Sequence, residues 1–149
     1  HELSIQFYDS RNEIEPMCIG PDGRSPEWIR IAEGEDEVTI VGRAIGTLIR
    51  DQQIEADDIT ILTPRSQEKS IWEEGTKLYG CTISWGERDK KKIQCSTIHS
   101  FKGLESPVVI LTELRGISIE ERRELFYVGL SRANHHLLIV SSQPVGTGP

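Results

Sequence analysis

Between Thr97 and Glu105 the chain gathers a hydroxyl (Thr97), an imidazole (His99), an amine (Lys102), a glycine (Gly103) and a carboxylate (Glu105). Hydroxyl and imidazole groups hydrogen-bond phosphate or sugar oxygens, and an ammonium supplies the opposing charge. Glycine lets a backbone approach a ligand closely, and a carboxylate accepts from a ribose hydroxyl. This mixture suits recognition of a phosphate and a sugar. Arg132, further along, carries a planar fork that can hold phosphate oxygens in pairs. On residue type alone, Arg132 reads first as a cation at the carboxyl end of a helix. Glu105 has the plainer alternative of a surface ion pair with Lys102.

Two apolar stretches flank the loop and must position it. Ile93 to Ser96 and Pro107 to Leu111 read as strands, and loops beyond the carboxyl ends of strands in an open α/β sheet are common ligand sites. Ser118 followed by Glu121 matches a capping box, predicting a helix to about Ala133 and then a strand over His136 to Val140. Upstream, Trp28 to Ile31 alternates as a strand. Val38, Val41, Ile45, Leu48 and Ile49 fall at helical spacing and predict a helix over about 36–52. Asp58 to Leu62 reads as a buried strand. Ser66 is a candidate N-cap for a helix over about 67–79, ahead of Gly80, with Cys81 to Trp85 a further strand. Leu3 to Tyr8 suggests a short strand, and residues 9–27, rich in Pro and Gly, read as loop with one short strand near Met17 to Ile19. Strands alternating with helices imply a mostly parallel sheet covered on both faces.

The loop and the helix after it carry a resemblance. Thr97-Ile-His99-Ser-Phe-Lys102-Gly103-Leu-Glu105 resembles motif V of superfamily 1 helicases of the UvrD/Rep type. Leu125-Phe-Tyr127-Val-Gly-Leu-Ser131-Arg132-Ala133 resembles motif VI of the same family. The tight match covers 93–141, with a looser one reaching back to about residue 36. The resemblance implies an α/β, three-layer RecA-like (P-loop NTPase-like) domain, the second, C-terminal one of such a helicase. It implies that Arg132 contacts the γ-phosphate of ATP and that Glu105, with Gly103, lies against the nucleotide. Thr97, His99 and Lys102 would line the single-strand track. Arg65 and Ser66, in the loop after the strand ending at Leu62, would contact nucleic acid, although Thr63-Pro-Arg65-Ser66 matches the family's Tyr-Arg-x-Asn only loosely. Two departures, Ser106 for a common phenylalanine and Gly129 for alanine, read as drift.

No Gly-x-x-x-x-Gly-Lys-[Ser/Thr] occurs, so the domain has no P-loop of its own. Asp36-Glu37 opens a helix instead of ending an apolar strand and is not a magnesium site. The expected arrangement is therefore half of an ATP site. The magnesium ligands and phosphate cradle would belong to an N-terminal RecA-like lobe of the same chain. The expected function is the C-terminal motor domain of an ATP-dependent DNA helicase or translocase, inactive by itself, with single-stranded or duplex DNA and that lobe as partners. The alternative is a free-standing, non-catalytic lobe that binds nucleic acid or protein.

Bulk properties fit one domain: a loop-rich segment over 1–27, the RecA-like domain over 28–142 and a flexible tail over 143–149. The 149 residues carry a formal charge of −7, unlike a dedicated nucleic-acid-binding domain, which is usually basic. The run Lys90 to Lys92 reads mainly as a solvated turn. Three dispersed cysteines form no metal-binding or disulfide pattern and suit a reducing cytoplasm. No apolar run is long enough for a membrane span and no signal peptide is visible. No metal ligands are expected. His135 and His136 read as structural, and Trp72 and Trp85 as packing residues, with base stacking the lesser alternative.

Overall fold

The computed structural model describes residues 4–10, 13–19, 26–86, 89–101 and 104–142. Two strands, β1 (Ser4–Ser10) and β2 (Glu13–Ile19), pair antiparallel as a separate ribbon, from Ser4 opposite Ile19 to Ser10 opposite Glu13. The sequence suggested loop over most of this second strand. Pro16 sits within a two-stranded ribbon, where a strand has a free side that needs no N–H donor.

The main sheet contains β3 (Glu27–Arg30), β4 (Ile59–Thr63), β5 (Lys77–Leu78), β6 (Cys81–Ser84), β7 (Lys92–Thr97), β8 (Ser106–Leu111) and β9 (Ala133–Ser141). Their order is β3-β9-β8-β4-β7-β6-β5, with every neighbouring pair parallel except β5 and β6. Central strands are apolar on both sides. In β4 every residue is buried, as a sheet covered on both faces requires.

Two cores separate the layers. Helix α1 (Glu37–Asp51) packs Val41, Ile45 and Leu48 over Ile59, Ile61, Ile93, Val108 and Ile110 on one face. On the other face, α2 (Ile98–Phe101) and α3 (Ile119–Arg132) cover Leu62, Val109, Leu111 and Ile139 with Phe101, Leu125 and Phe126. Successive residues of β4 and β8 thus serve opposite cores, with i and i+2 sharing one. Both long helices begin as expected: the Asp36 carboxylate accepts from Thr39 N–H at 3.1 Å, and Ser118 and Glu121 form the reciprocal capping box.

The helix expected over 67–79 does not form. A single turn closes, with Ser70 N–H donating to Ser66 C=O at 2.9 Å. The next N–H, of Ile71, is taken instead by the Glu113 carboxylate at 3.3 Å. Trp72 then turns inward and is wholly buried, its indole N–H donating to Thr112 Oγ1 at 2.9 Å. Gly75, at φ +87°, lies in a conformation that suits glycine and leads the chain towards β5. Local helical pattern lost here to one buried indole and one distant carboxylate.

Candidate functional site: two edges of one sheet

The register sorts the candidate residues into two groups. Thr63 and Thr97 are partners at the carboxyl end of β4 and β7. Arg65 and Ser66 follow the first of these strands and His99 follows the second, so these residues belong to the carboxyl edge. Ser106 pairs with Ala133 where β8 and β9 begin. Glu105 and Arg132 immediately precede those partners and lie at the amino edge. With β8 six residues long, the edges stand about 16 Å apart. The motif loop is therefore not simply a loop beyond carboxyl ends, as the sequence suggested. It starts at one edge and finishes at the other, crossing the face of β4 on α2. Lys102 and Gly103 lie outside the described residues.

At the carboxyl edge, Thr97 is partly committed: its hydroxyl accepts from Ser100 N–H at 3.2 Å and meets Ser100 Oγ at 3.1 Å, capping the turn of α2. His99 and Ser66 are exposed. Arg65 is held, with Nη2 donating to Arg115 C=O at 3.0 Å and Nε 3.4 Å from Glu113 Oε2, while 42% of its side chain stays exposed. Sequence reading missed Glu113. It is 5% exposed, adopts φ +58°, and also accepts from the Thr63 and Ser70 hydroxyls. Its own N–H donates to Glu37 Oε2 at 2.8 Å. Burial raises the Glu37 pKa; the hydrogen bond from Glu113 opposes this, and the negative charges of Glu113 and Asp36 add to it. A Thr-Glu pair directly after a fully apolar strand was the available signal: a charged residue there demands partners.

At the amino edge, Arg132 closes α3 and is half-buried, and its Nε is buried without a hydrogen-bond partner among the described residues. Buried guanidinium N–H groups are normally satisfied. An arginine serving only the dipole of its own helix would reach carbonyls or solvent. An orphaned donor suits an anion better. Glu105 is exposed beside it in the register. This pair fits a nucleotide in chemistry, with Arg132 able to donate to a phosphate and Glu105 to accept from a ribose hydroxyl. The acidic cluster of ligand-like span among the described residues, Glu55, Asp57 and Asp58, is a helix cap: Glu55 N–H donates to Asp58 Oδ2 at 3.2 Å.

The remaining candidates take structural roles. His136 Nε2 lies 3.0 Å from Glu27 Oε1, tying β9 to the end strand β3. Trp85 is half-buried and its indole N–H donates to Trp72 C=O at 2.7 Å. Lys92 lies 3.8 Å from Asp89 and Lys91 sits at φ +64°, so Lys90 and Lys91 form a turn and Lys92 opens β7. Burial pushes the Cys95 thiol far up and the Cys81 thiol up, leaving neither as a ready metal ligand. No helix among the described residues is long and apolar enough to cross a membrane.

The mostly parallel seven-stranded sheet, covered by helices on both faces, defines a three-layer RecA-like domain. Residues 92–140 match the UvrD-like helicase C-terminal domain, a family to which that segment of the chain is similar. The match takes in β7 to β9, with Thr97, His99, Glu105 and Arg132, and leaves Arg65 and Ser66 outside. The chain is also similar to the ATP-dependent DNA helicase srs2 of Schizosaccharomyces pombe, at 39% identity over 67 residues. That alignment spans 40% of this chain and only 8% of the yeast protein.

Proposed function

We propose that this domain is the second motor lobe of an ATP-dependent superfamily 1 DNA helicase or translocase. In this reading Arg132 serves as the arginine that reaches the γ-phosphate, and Glu105, with Gly103, meets the sugar or phosphate region of the same nucleotide. Thr97, His99, Lys102, Arg65 and Ser66 form part of the single-strand track. The observation that carries the reading is the buried Nε of Arg132, without a hydrogen-bond partner among the described residues, at the edge where Glu105 and Arg132 precede the paired Ser106 and Ala133. Bound ATP supplies the phosphoryl group whose transfer drives the motor, and Mg2+ neutralises its charge; this chain's residues bind and orient. The 149 residues hold no P-loop, so the phosphate cradle and the magnesium ligands fall to an N-terminal lobe.

The separation of the edges supports a division of labour. A strand held at the carboxyl edge and a nucleotide held at the amino edge do not compete for space. Closure of two lobes on a nucleotide would draw the amino edge inwards, and the carboxyl edge would move with it. In the complete native chain, Arg132→Ala should lower ATP turnover about 10³-fold or more. It should leave affinity for a single-stranded oligonucleotide within about twofold, because Arg132 lies at the other edge. Undiminished turnover would remove the arginine from the nucleotide site. A second reading, a lobe that docks without turnover, rests on the missing phosphate cradle. It predicts a native protein near 16.8 kDa in mass, whereas the motor predicts a much heavier one.

A further inference from the structure

We infer that Glu113 is a positioning residue that aims Arg65 at the phosphates of a single strand. This rests on the reading of the carboxyl edge as a strand track. The Glu113 carboxylate is buried and fully subscribed. Oε1 accepts from the Thr63 hydroxyl at 3.0 Å and from the Ser70 hydroxyl, while Oε2 takes the Ile71 N–H at 3.3 Å and faces Arg65 Nε at 3.4 Å. A carboxylate has about four lone-pair sites, and all are used. Every one of those donors comes from one segment, Thr63 to Ile71. The loop after β8 therefore grips the loop after β4 through a single side chain.

The grip is directional. Arg65 is fixed on two sides, by Glu113 at Nε and by the Arg115 carbonyl at Nη2, 3.0 Å away. The guanidinium is thereby held on two sides while 42% of the side chain stays exposed. A preset fork loses less freedom when it meets a phosphate than a mobile one does. The arrangement is costly to build. Glu113 is a buried charge and stands in the left-handed region at φ +58°, which disfavours any residue with a Cβ. Strain of this kind persists where the surroundings over-determine it, and it clusters at functional sites. A core-filling role would be served by an apolar residue. This carboxylate instead organises one exposed cation and the loop that bears it.

Charge alone and positioning predict opposite signs. Removing a carboxylate near an anionic strand should by itself tighten binding. If Glu113 aims Arg65, its removal should weaken binding. The test uses the complete native chain and a fluorescein-labelled oligothymidylate, with affinity read by anisotropy over a range of salt. Arg65→Ala should weaken binding about tenfold and lower the salt slope by about 0.7, the loss of one phosphate contact. Glu113→Gln and Arg65→Lys should each weaken binding at least several-fold. The double variant Glu113→Gln/Arg65→Ala should be no weaker than Arg65→Ala alone, since Glu113 acts through Arg65. A purely structural Glu113 would give additive losses and an unchanged salt slope. Wild-type affinity in Arg65→Lys, or tighter binding in Glu113→Gln, overturns the positioning role while Arg65→Ala still supports the track. Wild-type affinity in Arg65→Ala overturns the Arg65 contact and the positioning role together. Should Glu113→Gln not fold, Arg65→Lys alone decides, because its charge is kept and its fork is lost.

Discussion

Ser106 shows how a residue that looks neutral can bear weight. It stands where the helicase family often has phenylalanine, and the sequence gives no cause for the change. In the structure it is fully buried, at the bulge where β8 starts, with its hydroxyl 2.9 Å from Asp58 C=O and 3.0 Å from Val108 C=O. That hydroxyl fixes the first residue after Glu105 to the turn before β4. Ser106→Ala should cost about 1–3 kcal/mol, the penalty for stranding a buried acceptor, and urea unfolding measures it directly. Glu37 makes a different prediction. Its raised pKa means the folded state holds the proton more tightly than the unfolded one. The stability tied to that proton is complete below the ordinary carboxylate pKa and is lost as pH rises through the raised value. Glu37→Gln should therefore barely change stability in acid and increase it at neutral pH. Urea midpoints at pH 4 and pH 7 that shift equally would remove the titration from the account.

Helix α3 sets local propensity against packing most directly. Gly129 stands where the family has alanine, and helix propensity alone puts the change at roughly 1 kcal/mol of loss. The structure supplies the compensation. A Cβ at Gly129 would sit 3.1 Å from one methyl of Leu137 and 3.2 Å from one of Leu111, both on buried leucines. The missing methyl lets α3 lie close on β8 and β9. Gly129→Ala should thus gain propensity and lose more by overpacking, a net cost of about 1 kcal/mol in urea unfolding; a more stable variant would mean the leucines can yield. Sequence reading located α1, α3 and the central strands because their signals are local: caps, apolar spacing and short apolar runs. It failed over 67–79, where the Ser66 carbonyl closes a single turn that the distant Glu113 then interrupts. Motif spacing makes Thr97, His99, Glu105 and Arg132 candidates, and all four lie within the described residues. Their division between two edges was not legible, because it depends on which strands pair. Glu113 was invisible for the same reason: its donors come from Thr63 to Ile71, far back in the chain.

For the whole molecule, the sheet order sets what can be coupled to what. β4 lies between β7 and β8, so the chain leaving β7 must pass over β4 before β8 can begin. Ile98 and Phe101 are the buried feet of that passage. Residues 98–105 make the whole climb from carboxyl edge to amino edge. Only eight positions separate the last residue of β7 from the first of β8, two places away in the sheet and at its opposite edge. One short stretch of chain thus serves both edges, and a displacement of Thr97 has few residues through which to dissipate before it is felt at Ser106.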